Sequence, residues 1–289
     1  MKRTLSTIVV SICLLCVGLH AQEISSAPAL PDSTERTALL MVHYGTTHND
    51  TRSKTIDAIN ERARSTFPGW EVRECYLSPV VVSRLAARGV KKDLPLEALL
   101  QLRADGYRRV KVQPTCIIDG EEMEALRRDV ARTASLFDEV RVGLPLTYSV
   151  DDCRLVANIL ASRHPADARQ KRHVVFVGHG SSTPATALYS QMDYMLKAAG
   201  HMAHHVATIE GYPTFDTCLE QLKAAKARHI VLVPFLFVAG NHAVKDIAGE
   251  WRLRLEQEGF EVEVVLEGLG EVPEIQEMYI DHIKSLQKP

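Results

Sequence analysis

Three side chains able to bind metal or move protons stand at the ends of apolar runs. His179 follows Val174-Val175-Phe176-Val177-Gly178 and runs into Gly180-Ser181-Ser182. Glu210 closes Val206-Ala207-Thr208-Ile209, and His242 follows Phe235-Leu236-Phe237-Val238-Ala239-Gly240. Two imidazoles and one carboxylate suit a divalent transition metal and leave room for an exchangeable ligand. That donor set means metal handling or catalysis, not a closed structural site. A histidine with the ordinary pKa of about 6.5 also accepts a proton near neutral pH. Each residue has a plainer reading as well. His179 can be a hydrogen-bonded structural residue. Glu210 can cap the next helix through Gly211, and His242 can start a helix and pair with Asp246. His201, His204 and His205 are expected in exposed loops.

What would position the three groups is a repeated strand–helix unit. They are spaced about thirty residues apart, one βα repeat each. Adjacent parallel strands would then present them at one sheet edge, where open α/β sheets place their ligands. Short apolar runs predict strands over 37–45, 70–77, 109–118, 140–146, 173–178, 204–210, 229–238 and 262–266. Pro114 argues for a bend near the end of the third. Helical stretches are expected up to about residue 67, then over 94–104, from Asp119-Gly120-Glu121-Glu122 onward, and over 150–163, 184–199, 214–226, 243–257 and 273–286. The acidic start at Glu121-Glu122 reads as a solvated first turn that suits the helix dipole. The fold class expected is α/β, with parallel sheets flanked by helices.

The two halves also resemble each other. Val42-His43-Tyr44-Gly45-Thr46-Thr47 lines up with Val177-Gly178-His179-Gly180-Ser181-Ser182, and Ile117-Ile118-Asp119-Gly120 with Val238-Ala239-Gly240-Asn241. This predicts a duplication: two similar domains, 37–148 and 149–289, facing each other across a cleft. The second carries the metal site, and the linker falls near Thr147-Tyr148-Ser149.

Composition narrows the class. The chain has 289 residues, 46% hydrophobic and 24% charged, ordinary for globular protein. A formal charge of −2 and the lack of a long basic run argue against nucleic acid. Residues 1–21 read as a signal peptide: Lys2 and Arg3 precede an apolar stretch from Ile8 to Leu19, and Ala21 offers a cleavage point. Residues 22–36 read as a flexible leader. The chain is therefore expected to be exported, periplasmic or associated with the outer membrane. Cys75, Cys116, Cys153 and Cys218 remain after the signal, with no C-x-x-C pair, and are expected mostly as buried thiols. There is no Walker A loop, no G-x-G-x-x-G and no H-E-x-x-H, so no nucleotide cofactor is indicated. Gly178-His179-Gly180-Ser181-Ser182 is not a G-x-S-x-G nucleophile elbow.

These stretches resemble the sirohydrochlorin cobaltochelatases of the anaerobic cobalamin pathway. The resemblance runs through residues 177–182, Ile209-Glu210-Gly211-Tyr212-Pro213, and Phe237-Val238-Ala239-Gly240-Asn241-His242-Ala243-Val244-Lys245-Asp246. Gly45-Thr46-Thr47, Ile117-Ile118-Asp119-Gly120-Glu121-Glu122 and Gly268-Leu269-Gly270-Glu271 are similar too, so it covers the chain from Thr37 onward. It implies two chelatase-type α/β domains with a tetrapyrrole in the cleft. It implies His179 and His242 as the active-site histidines and Glu210 as the metal-binding acid. The metal would be a substrate, Co²⁺ or Fe²⁺, inserted without ATP. Tyr44, Ser181 and Cys116 are the residues expected against the macrocycle. Family members often carry histidine where this chain has Cys116, a position that the resemblance links, in an exported relative, to haem between subunits. Haem binding or removal of iron from haem is thus the rival reading. Besides the tetrapyrrole, a second copy of the chain and an envelope uptake system for haem or cobalamin are the partners expected.

Overall fold

The structure, a computed structural model, describes residues 36–287, so the expected signal peptide and nearly all of the leader lie outside the described residues. Two strands organise it. Thr37–His43 (β1) and Arg172–Gly178 (β5) each pair in parallel on both sides and are buried along almost their whole length. A strand covered on both faces can be apolar throughout, which is why both read as unbroken hydrophobic runs. Glu71–Tyr76 (β2), Arg109–Pro114 (β3) and Glu139–Val142 (β4) complete the first sheet, in the order β2-β1-β3-β4. His204–Thr208 (β6), His229–Phe235 (β7) and Glu261–Val264 (β8) complete the second, in the order β6-β5-β7-β8. All pairings between these strands are parallel and the two orders are the same, so the likeness between the halves is a likeness of topology. Pro114, which has no N–H for a ladder, is the last residue of β3.

Helices cover both sheets, as the alternation predicts. One was not expected: Pro79–Ala86, whose run of three valines favours a strand. Its start explains it. The Ser78 hydroxyl accepts from the Val81 N–H at 3.3 Å, and Pro79 supplies a preset φ in the first turn. The helix through 49–66 and the one beginning at Ala243 both contain wider π-type turns, at Ser53–Asp57 and Ala243–Trp251.

The last helix, Pro273–Ser285, crosses back to the first half. The buried Tyr279 hydroxyl lies 3.0 Å from the Thr115 carbonyl and 3.2 Å from that of Cys116, and donates to that pair. Arg62 pairs with Glu277 on the same helix. The main core therefore draws on both halves, with Leu39, Tyr76, Phe176, Phe235 and Tyr279 in one cluster.

One sequence expectation needs correction. His204 and His205 are not exposed loop residues; they begin β6 and are buried. His204 Nε2 donates to the His164 carbonyl at 2.8 Å, and His205 Nδ1 meets Gln221 Oε1 at 3.0 Å. His205 Nε2 in turn lies 2.9 Å from His173 Nδ1. These partners let polar rings sit inside, and burial lowers the pKa of His205 to about 4. The cysteines do follow expectation: Cys75, Cys153 and Cys218 are buried free thiols, and Cys116 is partly exposed.

Candidate active site

The two sheets each reverse direction once: between β1 and β3 in the first, and between β5 and β7 in the second. Ligand crevices in open α/β sheets form at the carboxyl ends of such strand pairs. Here the segments leaving those four strands line one cavity of about 400 Å³: 44–48, 115–118, 179–180 and 236–242, all but Ala239. The Pro79–Ala86 helix, Glu122 and Tyr189 complete its wall. Much of the lining is apolar, from Val80, Val81, Ile117, Ile118, Phe237 and Val238.

His179 and His242 meet inside this cavity, their rings perpendicular with centroids 4.8 Å apart. The register makes this happen. Gly178 pairs with Phe235, so β5 and β7 end level and the residues after them leave at one edge. The hydrogen bonds fix which nitrogen is free. His242 Nδ1 lies 2.7 Å from Asp246 Oδ2, one turn along the same helix. His179 Nδ1 lies 3.3 Å from the Gly180 carbonyl. A carbonyl only accepts and a carboxylate normally does, so each Nδ1 carries a hydrogen, and in the neutral ring Nε2 is the nitrogen with the lone pair. That is the arrangement of a histidine prepared for a metal or a proton. The pairing of His242 with Asp246 therefore does not exclude a metal-binding role for the same ring.

Glu210 is placed differently. It leaves β6, the strand beside β5, and its N–H donates to the His179 carbonyl at 2.8 Å. What packs against the His179 loop is the Glu210 backbone: a Cβ on Gly180 would lie 1.2 Å from the Glu210 carbonyl oxygen. The side chain is exposed and is not in the cavity lining. Among the described residues no group of three or more His, Cys, Asp or Glu side chains stands close enough to hold an ion. The structure brings the two imidazoles together and leaves the acid side chain exposed, outside the cavity lining.

Of the residues expected against the macrocycle, Tyr44 and Cys116 line the cavity and Ser181 does not. Ser181 Oγ instead bonds the hydroxyl of Thr183 at 2.8 Å and accepts its N–H at 3.1 Å, closing the turn before the next helix. The Cys116 thiol is held protonated, first by burial and then by the nearby Glu122 carboxylate.

Residues 37–288 match the family model described as cobalt chelatase (CbiK). The chain belongs to the cobalt chelatase family. It is 34% identical to the sirohydrochlorin cobaltochelatase of Salmonella typhimurium over 251 residues, covering 85% of this chain and 94% of that protein. It is 32% identical to the sirohydrochlorin cobaltochelatase CbiKC of Nitratidesulfovibrio vulgaris over 256 residues, 85% of this chain and 88% of that one. Among solved structures, SirB from Bacillus subtilis with Fe³⁺ shares the fold with a TM-score of 0.58 at 13% identity, covering 86% of this chain and 95% of SirB.

Two features in and behind this chelatase's cavity wall were not read from the sequence. Glu122, in the first turn of Glu121–Thr133, lines the cavity and is not merely solvated. Its neighbour Glu121 accepts from Ser182, which ties that helix to the loop after His179. The second feature is behind the wall, at the end of β1. His43 is fully buried, with Nε2 3.0 Å from Asn60 Oδ1 and Nδ1 3.0 Å from Thr115 Oγ1. Asn60 Nδ2 donates to Glu74 at 2.7 Å, so Oδ1 faces His43 and must accept. His43 therefore carries its hydrogen on Nε2, and Thr115 donates to Nδ1. Lys92 pairs with Glu74 and, against burial, holds that carboxyl below its usual range. Burial lowers the pKa of His43 to about 4.

Proposed function

We propose that this chelatase inserts Co²⁺ into a sirohydrochlorin-like macrocycle bound in the cavity, and that it works outside the cytoplasm. The observation that carries the reading is the His179–His242 pair lining the cavity, with both Nδ1 atoms engaged and neither Nε2 hydrogen-bonded among the described residues. Metal insertion exchanges one M²⁺ for two pyrrole N–H protons. It therefore needs a donor that holds a partly desolvated cation loosely, and a base for the departing protons. Neutral imidazole does both. In this reading His179 contacts the metal and accepts protons, and His242, steadied by Asp246, shares the metal. Glu210, exposed one strand away, offers its carboxylate to the incoming cation. The apolar wall and Tyr44 take the macrocycle face, which excludes water as the cation loses its hydration shell.

The names of the relatives favour cobalt and sirohydrochlorin as the pair. A haem-holding role would call on Cys116 as a thiolate, and the burial of that thiol works against it. Export rests on residues 1–21 alone, and cell fractionation tests it. The activity is tested by a chelation assay that crosses Co²⁺, Fe²⁺, Ni²⁺ and Zn²⁺ with sirohydrochlorin and protoporphyrin. Cobalt insertion into sirohydrochlorin is the expected outcome. No turnover with any macrocycle would refute the proposal.

A further inference from the structure

Charge in the cavity wall is uneven. Val80, Val81 and Arg84, at helical spacing on Pro79–Ala86, all line it. The other arginines nearby are engaged. Arg88 donates to the Thr47 carbonyl at 3.0 Å, Arg52 pairs with Asp57, and Arg127 makes a two-pronged pair with Asp119. Among the described residues Arg84 has neither an ion-pair nor a hydrogen-bond partner, and its side chain is exposed at the cavity. The carboxylate in the lining, Glu122, is carried by a different helix.

We propose that Arg84 binds a peripheral carboxylate of the macrocycle and so sets which edge of it faces His179 and His242. The inference rests on the reading of the cavity as a tetrapyrrole site. A guanidinium matches a carboxylate with two parallel N–H···O bonds, so it fixes orientation as well as adding affinity. The valines one turn earlier give that contact an apolar floor, and their stems pack on the ring face while the fork reaches its rim. Glu122 repels carboxylates and disfavours the reversed placement. A macrocycle rich in carboxylates is thus preferred over one that carries few. Arg84 acts on binding and placement and takes no part in proton transfer.

The test is a spectroscopic titration of metal-free sirohydrochlorin into the full chain, alongside steady-state cobalt insertion, for wild type, Arg84→Leu, Arg84→Lys and a distant control, Arg169→Leu. Because the site is open to water, the expected loss for Arg84→Leu is modest, roughly fivefold in affinity. KM rises by the same factor while kcat holds, the signature of lost binding that is equal in ground and transition states. Arg84→Lys recovers part of the loss, and the salt dependence of binding becomes shallower in Arg84→Leu. The penalty is smaller with protoporphyrin, which has fewer carboxylates. Arg84→Leu binding sirohydrochlorin as wild type and Arg169→Leu do, at every salt concentration, would overturn the inference. If wild type binds but never inserts metal, the proposed activity fails and the titration still decides on Arg84. If wild type binds no tetrapyrrole, both fall.

Discussion

The segments that leave β1 and β5 start alike and end in different uses. Gly45 and Gly180 occupy matching places and have φ of +97° and +93°, so both turns need the left-handed region that glycine enters freely. Just before them the halves diverge. In the first half His43 fills the strand end, is fully buried and has both ring nitrogens engaged. In the second half Gly178 stands there, and the Tyr189 ring takes the space: a Cβ on Gly178 would lie 2.1 Å from Tyr189 Cε1. The imidazole then comes one residue later, at His179, half-buried beside His242. The same topological position thus anchors a wall in one half and presents chemistry in the other. Burial decides between them. A histidine with no free nitrogen and a pKa near 4 can neither bind metal nor take a proton at neutral pH.

The turns give the largest predicted effect. Gly180→Ala meets both a disfavoured φ and a backbone oxygen that cannot move aside, and should cost at least about 4 kcal/mol of stability. Gly259→Ala has a similar φ of +89° but open space around it, and should cost only about 1 kcal/mol. Chemical denaturation of the two variants measures the difference, and similar losses would break the argument from close packing. Next comes His43→Ala, which strands Asn60 and Thr115 and should cost about 3 kcal/mol. The protein that remains folded should keep its activity.

Acid should act on the same residue. The folded pKa of His43 and of His205 lies near 4, below the ordinary 6.5, so the unfolded chain binds more protons between those values. Stability is complete above pH 6.5 and is lost as the pH falls toward 4, by up to about 3 kcal/mol for each group. Urea midpoints measured across that range should fall with pH in wild type and fall less steeply in His43→Ala. The smallest effect concerns the open half. Asp246→Asn leaves the packing in place but no longer fixes the His242 tautomer, and should lower cobalt insertion roughly tenfold with little change in melting temperature.

Much of this was legible in the residues because parallel strands announce themselves. A strand buried on both faces is apolar from end to end, so β1, β5 and β7 and the glycine-flanked loops after them could be read directly. The placement of His179 beside His242 followed from strand spacing. What could not be read depends on side-chain direction or on conflict between local signals. Glu210 ends its strand as expected, yet its backbone, not its carboxylate, meets the His179 loop. The Val80-Val81-Val82 run hid a helix that Ser78 and Pro79 initiate, and with it Arg84. His204 and His205 looked exposed because nothing local reveals Gln221 or the His164 carbonyl as their partners. Glu122 resembled any acidic helix start until the first half was folded against the second.

Single-turnover insertion of Co²⁺ into sirohydrochlorin, followed by absorbance for wild type, His179→Ala and folded His43→Ala side by side, bears most directly on where the chemistry lies. The expected rate is at least about a hundredfold lower for His179→Ala, with its fold intact, and near wild type for His43→Ala. Wild-type turnover in His179→Ala, or its loss in properly folded His43→Ala, would contradict it.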